Sequence, residues 1–416
     1  MMKKVLLITV FIFLVAAASA QRKKAIFIII DGVSKDVIEK VATPNLDAIA
    51  AEGGFLSSYQ GGERGEYNQT PTISAPGYNN VLTGVWFNKH NVPDNAIKAP
   101  NYHYPSIFRL FEDQYPDRQT AIFSSWLDNR TKLVGEGLPQ TGNIKLDYHF
   151  DGLELDTVKY PHDKGRNYMS DIDQAVTNDA ARSIRETGPD LSWVYLEFTD
   201  DMGHLYGDSD QFTDAVKLAD RRVGQIWAAI KERREKYRED WLIIVTTDHG
   251  RDAQSGRGHG GQSDRERAAW MVTNAKDLNH QAKQADQVSA VDVLPTIARF
   301  LDVKLSLQNE RELDGTPLIG NLSLTQLKAI RADNKINLSW LPVRKTGKVK
   351  IWITSSNNYK MNGAGDTYRL VGKVPVGDGN YVIDVGNQAP SDFYKISVQG
   401  KYNTLNRWIV SPGSKN

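Results

Sequence analysis

A chain of 416 residues is long enough for one large α/β domain and a smaller companion. Its 51 Lys and Arg against 50 Asp and Glu leave a formal net charge of +1, with no basic footprint for nucleic acid. It has no cysteine, which excludes disulfides, thiolate metal ligands and lipid anchoring at a cysteine.

The chain begins with basic Lys3-Lys4, an apolar run from Val5 to Ala17, and Ala18-Ser19-Ala20, the A-x-A pattern of a cleavage site. Residues 1–20 therefore read as a secretory signal peptide cut before Gln21, with a periplasmic or extracellular destination. The run is short for a membrane span, which needs about twenty apolar residues, and no later segment is apolar enough. Cleavage removes Lys3 and Lys4 and no acid, leaving 49 basic and 50 acidic residues, a net of −1.

Next, "KKAIFIIIDG" predicts a buried parallel strand ending in Asp31-Gly32. "TPNLDAIAAEGG" predicts a helix with Thr43 as N-cap, Pro44 at its first position and Gly53 past its end. "PSIFRLFEDQ" then "QTAIFSSW" repeats the helix-then-strand alternation. So do a helix near 172–187 before "LSWVYLEFTDD" and a long charged helix near 209–238 before "WLIIVTTDHG". This alternation predicts an α/β fold, a mostly parallel sheet with helices on both faces. Asp31, Asp200 and Asp248 all stand at strand ends, where open α/β sheets bind ligands. From 346 onward, short alternating segments separated by Gly, Asn, Asp and Pro predict a small all-β, sandwich-like domain over 346–416, leaving 21–340 as the main domain.

Singly, the chemical signals are weak. Asp200 and His204 stand four apart, so a helical turn would set them on one face. "TTDHGRDAQSGRGHGG" places Asp248, His249 and His259 in a Gly-rich loop. Together Asp31, Asp200, His204, Asp248, His249 and His259 offer six oxygen and nitrogen ligands, three for each of two zinc ions. In "TPTISAPGYNNVLTG", Ser74 opens a helix that runs to Gly84. It is the candidate nucleophile and a further metal ligand, because a helix N-terminus favours an alkoxide and an incoming anion.

The order Asp-Gly, T-P-N-L-D-x-I-A-x-E-G, Ser-x-Pro followed by T-G, D-x-x-x-H, D-H-G and G-H-G resembles the alkaline phosphatase superfamily. More narrowly it is similar to the type I phosphodiesterase/nucleotide pyrophosphatase branch. "DVLPTIARFLDV" and "LDGTPL" extend the resemblance over roughly 24–320. It implies that Asp200, His204 and His259 hold one ion, and that Asp31, Asp248, His249 and Ser74 hold the other. Two departures stand out. Relatives often carry Thr where this chain has Ser74, and a substrate-binding Asn where it has Gly77. Tyr78, Asn79 or Asn80 are possible substitutes, and Asn80 is the substrate-binding candidate.

Segments 57–70 and 128–170 are expected to rim the pocket, with Arg64, Lys89, Arg130 and Lys132 as candidates for phosphate contact. The expectation is a secreted two-zinc phosphoesterase working through a phosphoseryl intermediate. Its partner would be a small phosphate ester: a nucleotide, or a phosphorylated glycan or lipid head group. The alternatives are a sulfatase-like hydrolase, against which "SAPGY" has Tyr78 where that family's Arg belongs, and an inactive scaffold whose β domain binds a glycan or a partner.

Overall fold

The computed structural model describes residues 21–386 and 391–411. The signal-peptide reading of 1–20 lies outside the described residues. No helix among the described residues is long and apolar enough to cross a membrane.

Eight strands form the main sheet: β1 (Lys23–Ile30), β2 (Gly54–Tyr59), β3 (Thr120–Ser124), β4 (Tyr148–Phe150), β5 (Leu191–Leu196), β6 (Asp240–Thr246), β7 (Ala268–Thr273) and β8 (Val288–Ser289). Their order is β4-β3-β5-β1-β6-β7-β2-β8. Only β7 runs against its neighbours β6 and β2. Every residue of β1 from Lys24 to Ile30 is buried, as a strand covered on both faces requires. Alternate side chains divide between two apolar layers. Phe27, Ile29, Trp193 and Ile244 face the helices Ser74–Thr83, Ile107–Gln114 and Val293–Phe300. Ile26, Ile28, Val194 and Val245 face the helices Asn167–Glu186 and Asp210–Tyr237.

The helix after Thr43 begins at Pro44 as expected, but Thr43 makes no side-chain cap. The Asp220 carboxylate accepts from the Asn45 and Leu46 amides instead, at 3.1 and 2.9 Å. An acid from another helix thus does the capping and meets the positive end of the dipole.

The C-terminal β region starts earlier than 346. It contains β9 (Leu324–Ala332), β10 (Lys335–Pro342), β11 (Lys348–Thr354), β12 (Arg369–Pro375), β13 (Asn380–Asp384), β14 (Phe393–Gln399) and β15 (Thr404–Val410). These form sheets β13-β10-β9 and β12-β11-β14-β15 around Leu338, Ile351, Ile396 and Val398. The β9–β10 hairpin, turning at Asp333 with φ of 53°, supplies two strands of the smaller sheet. A boundary at 340 would therefore cut through β10.

Buried charges seat this unit on the main domain. Lys395 Nζ reaches Glu312 at 2.7 Å and Asp366 at 2.8 Å. Lys89 Nζ reaches Asp314 at 2.6 Å and Asn406 at 3.0 Å.

Candidate metal centre

Strands β5, β1 and β6 are neighbours at the middle of the sheet, so their carboxyl ends lie side by side. β1 runs out into Asp31 and β6 into Asp248 and His249, all of them buried. β5 leads into the helix Phe198–Tyr206, where Asp200 and His204 sit one turn apart with 3.1 Å between carboxylate and imidazole. Gly32 takes a φ of +64° at the turn after Asp31, and a Cβ there would fall 2.5 Å from Asp200 Oδ1. The turn thus needs glycine both for its backbone and for the approach of Asp200. The loop carrying His259 is tied by Asp252, whose carboxylate accepts from the Gln254 and Ser255 amides at 2.9 and 2.7 Å and from that of Gly258.

All six expected ligands converge. His249 Nε2 lies 3.3 Å from both Asp31 Oδ1 and Asp248 Oδ2, and 4.0 Å from Asp200 Oδ1. His259 Nε2 lies 3.1 Å from His204 Nε2 and 3.9 Å from Asp200 Oδ1. The His249 and His259 rings stack at 3.7 Å, joining the two groups. Two triads have donor atoms close enough for one cation: Asp31, Asp248 and His249, and Asp200, His249 and His259. His204, expected in the second group, reaches it through Asp200 and His259.

The donor set fits divalent metal. Buried Asp31 Oδ1 and Asp248 Oδ2 have no hydrogen-bond partner, a costly arrangement unless a cation meets them. Nδ1 of His249 faces Gly250 O at 2.9 Å, and Nδ1 of His259 faces Thr72 O at 3.0 Å. Donating there fixes each ring's tautomer and leaves Nε2 bare for a ligand bond.

Charge crowding shows in the proton affinities of the metal-free site. Burial and the Asp31 charge push the Asp248 carboxyl well up. Burial opposes a charge on His249, but Asp248 and Asp31 raise its pKa to about 9. Burial and the neighbouring His249 lower His259 to about 4. Asp200 is held well below the carboxylate range: burial opposes its charge, and Arg251 and His204 more than offset it.

Ser74 opens the helix Ser74–Thr83 with extended Ile73 before it. Its Oγ lies 3.4 Å from His249 Nε2, among the ligands. The helix is pressed onto the metal loop, because a Cβ on Gly77 would fall 2.5 Å from the Asp248 carbonyl oxygen.

The structure does not bring Asn80 to this site. Its amide is buried and engaged at both ends, with Gln60 at 2.9 Å and His90 at 3.0 Å. Nor do the four basic candidates stand free for phosphate. Arg64 pairs with Asp264, Arg130 with Asp151 and Glu136, and Lys132 with Asp128, while Lys89 is buried at the β unit. The residue missed is Asn95. Its Oδ1 accepts from the Ala75 amide at 2.9 Å, directly beside Ser74. Its amide nitrogen has no hydrogen-bond partner among the described residues. The only sequence signal was an Asp-Asn pair in a polar loop.

The family profile described as "Type I phosphodiesterase / nucleotide pyrophosphatase" matches residues 25–260. Ectonucleotide pyrophosphatase/phosphodiesterase family member 7 of Mus musculus is 27% identical over 248 residues, covering 57% of this chain and 52% of its own length. The Homo sapiens protein of that name is 24% identical over 244 residues, covering 56% of this chain and 49% of its own. The chain spans about half the length of the curated relatives it matches. A solved 2-O GAG sulfatase shares the fold at a TM-score of 0.52 and 11% identity, over 88% of this chain and 85% of its own.

Proposed function

Because the chain belongs to the type I phosphodiesterase/nucleotide pyrophosphatase family, within the alkaline phosphatase superfamily, we propose that it hydrolyses phosphoric esters, diesters ahead of monoesters, through a phosphoseryl intermediate on Ser74. Asp200, His204 and His259 would hold one zinc ion, and Asp31, Asp248 and His249 with Ser74 the other. Bound there, the ions supply Lewis acidity that favours an ionised serine oxygen and offsets charge on the phosphoryl group.

The remaining steps belong to the chain's own residues. Ser74 Oγ gives up its proton to solvent and attacks phosphorus in line. The Ser74–phosphorus bond forms as the ester oxygen departs. The N-terminal end of the helix Ser74–Thr83 supports the developing negative charge. Asn95, oriented by the Ala75 amide, has its own NH2 left to donate to a phosphoryl oxygen. Water then attacks the phosphoserine, releases the phosphate product and returns the hydroxyl to Ser74.

The observation that carries this reading is Ser74 Oγ lying 3.4 Å from His249 Nε2 inside a ring of convergent acids and imidazoles in which Asp31 Oδ1 and Asp248 Oδ2 have no hydrogen-bond partner. Parallel turnover of bis-p-nitrophenyl phosphate, p-nitrophenyl phosphate and p-nitrophenyl sulfate tests it, alongside zinc analysis. Faster sulfate turnover would support the sulfatase-like alternative; no turnover by a zinc-loaded protein would support the scaffold. Against the sulfatase, the Tyr78 phenol donates to Asp31 where that family has Arg. The leader-like residues 1–20 support export to the periplasm or beyond the cell.

A further inference from the structure

Beneath Asp31 lie two phenols that neither the ligand set nor the nucleophile accounts for. The Tyr195 hydroxyl donates to Asp31 Oδ2 at 2.6 Å, and the Tyr78 hydroxyl donates to the same oxygen. The two hydroxyl oxygens are 2.8 Å apart, which closes a three-membered ring of oxygens. Both side chains are buried, at 0% and 2% exposure. Tyr78 is wedged edge-on against Trp126 and Trp193, with Tyr195 at 4.9 Å. Neither ring has room to swing away.

We propose that Tyr78 and Tyr195 are positioning residues: they fix Asp31 by its Oδ2 so that Oδ1 alone is presented to the cation, and Tyr78 ties that oxygen to the helix of Ser74. The proposal rests on the hydrolase reading above.

Three features carry it. First, the division of labour on Asp31 is complete: Oδ2 receives both phenols, while Oδ1 is buried with no partner and faces His249 Nε2 at 3.3 Å. Turning the carboxylate so that both oxygens faced the cation would forfeit both hydrogen bonds around a buried acid. Second, the donors are neutral. Arg251, a cation, holds Asp200 by Oδ1, the oxygen that faces the His249 and His259 imidazoles. The phenols orient Asp31 without cancelling its charge, so all of that charge is left for the ion. Third, Tyr78 sits four residues after Ser74, about one helical turn. One side chain therefore sets where the ligand oxygen lies relative to the nucleophile. Outer partners of metal ligands commonly act in this way.

The test uses zinc-loaded wild type, Tyr78→Phe, Tyr195→Phe and the double variant. Phenylalanine keeps the ring packing and removes only the hydroxyl. Zinc transfer to a chromogenic chelator, kcat and KM on bis-p-nitrophenyl phosphate, and the metal-free melting temperature are measured for each. Each single variant should hold one of its two zinc ions about tenfold more weakly. Its kcat should fall with KM held within about twofold, the pattern of an interaction that matters in the transition state. Tyr78→Phe should lower kcat more than Tyr195→Phe, since it alone shares the helix of Ser74. If Tyr78→Phe fails to fold, the zinc transfer of Tyr195→Phe decides the matter. A double variant that retains zinc like wild type while melting lower would overturn the proposal and leave the phenols a purely structural role. A wild-type protein that binds no zinc would overturn the hydrolase reading, and the proposal with it.

Discussion

Two regions of this molecule bury charge, and they do so in opposite ways. Where the β unit meets the main domain, the two buried lysines are answered: Lys395 by Glu312 and Asp366, Lys89 by Asp314 and Asn406. At the carboxyl edge of the sheet, Asp31 Oδ1 and Asp248 Oδ2 are buried with no hydrogen-bond partner, and a single imidazole, His249, stands 3.3 Å from both. A fold that needed only stability would have paired or replaced these acids. Matched buried charge marks a structural joint, and buried acids that outnumber their partners mark a place kept for a ligand.

The sharpest way to break this comparison is at the nucleophile. Ser74→Ala should keep both metals, since all six acid and imidazole ligands remain. It should lose at least about three orders of magnitude in kcat, as removal of a group from a cooperative site does. Residual turnover by metal-polarised water is expected, and Ser74→Thr should retain more activity because it keeps a hydroxyl. If Ser74 merely opened its helix, the alanine variant would lose about 1 kcal/mol of stability and turn over normally. Measuring kcat with zinc content separates these outcomes.

The next largest effect lies at the joint. Lys395→Met leaves Glu312 and Asp366 facing each other without their cation. The variant should be destabilised by about 3–5 kcal/mol in denaturant unfolding. Its kcat per folded molecule should stay near wild type, because no described residue of the β unit enters the metal centre. A specific loss of kcat in the folded fraction would show that the joint reaches the site. Truncation at 340 is the wrong experiment for this purpose. It severs β10 and strips Lys89 and Glu312 of partners at once.

The contrast also explains what could be read ahead of the structure. Asp31, Asp248 and Asp200 were legible because apolar runs end abruptly in acids, and strand ends in such sheets converge. His204, His249 and His259 were legible by spacing and by their glycines. Asn80 was misjudged because a helical register decides which face an amide takes, and at Asn80 that face meets Gln60 and His90. Asn95 was missed because a loop twenty residues downstream carries it back to Ala75, a long-range contact with no local periodicity. The β9–β10 hairpin was readable in principle. "LTQLKAIRADNKINLSWL" alternates around an Asp-Asn turn, but it precedes the run of short strands after 346 and was counted with the main domain.

A third experiment reverses the sign of the usual mutation. Asp248→Asn keeps the oxygen that accepts from the Gly32 amide at 3.1 Å and replaces its unpartnered neighbour with an NH2 that can donate to Asp31. The metal-free variant should therefore be more stable than metal-free wild type, by about 1–3 kcal/mol, the cost of a buried unsatisfied group. It should bind zinc poorly and turn over slowly. A metal-free variant less stable than wild type would mean that Asp248 is already satisfied in the empty fold.

The smallest expected effect is a proton count. In the metal-free protein His249, with its pKa raised to about 9 by Asp248 and Asp31 against the effect of burial, is protonated at pH 7. His259, lowered to about 4, is already neutral there. Zinc must therefore displace the His249 proton, whereas His259 has none to give. The sign follows directly. Apparent affinity for the ion at Asp31, Asp248 and His249 should rise with pH, by about tenfold per unit for each proton displaced, and level off for this group above about pH 9. At His259 no such dependence should remain above about pH 5. Calorimetric titration of metal-free protein with zinc at pH 7, in buffers of different ionisation enthalpy, reads the number directly. At least one proton should be released as the buried triad fills. A count near zero would mean that neither His249 nor the crowded acids hold a proton at pH 7 in the metal-free protein.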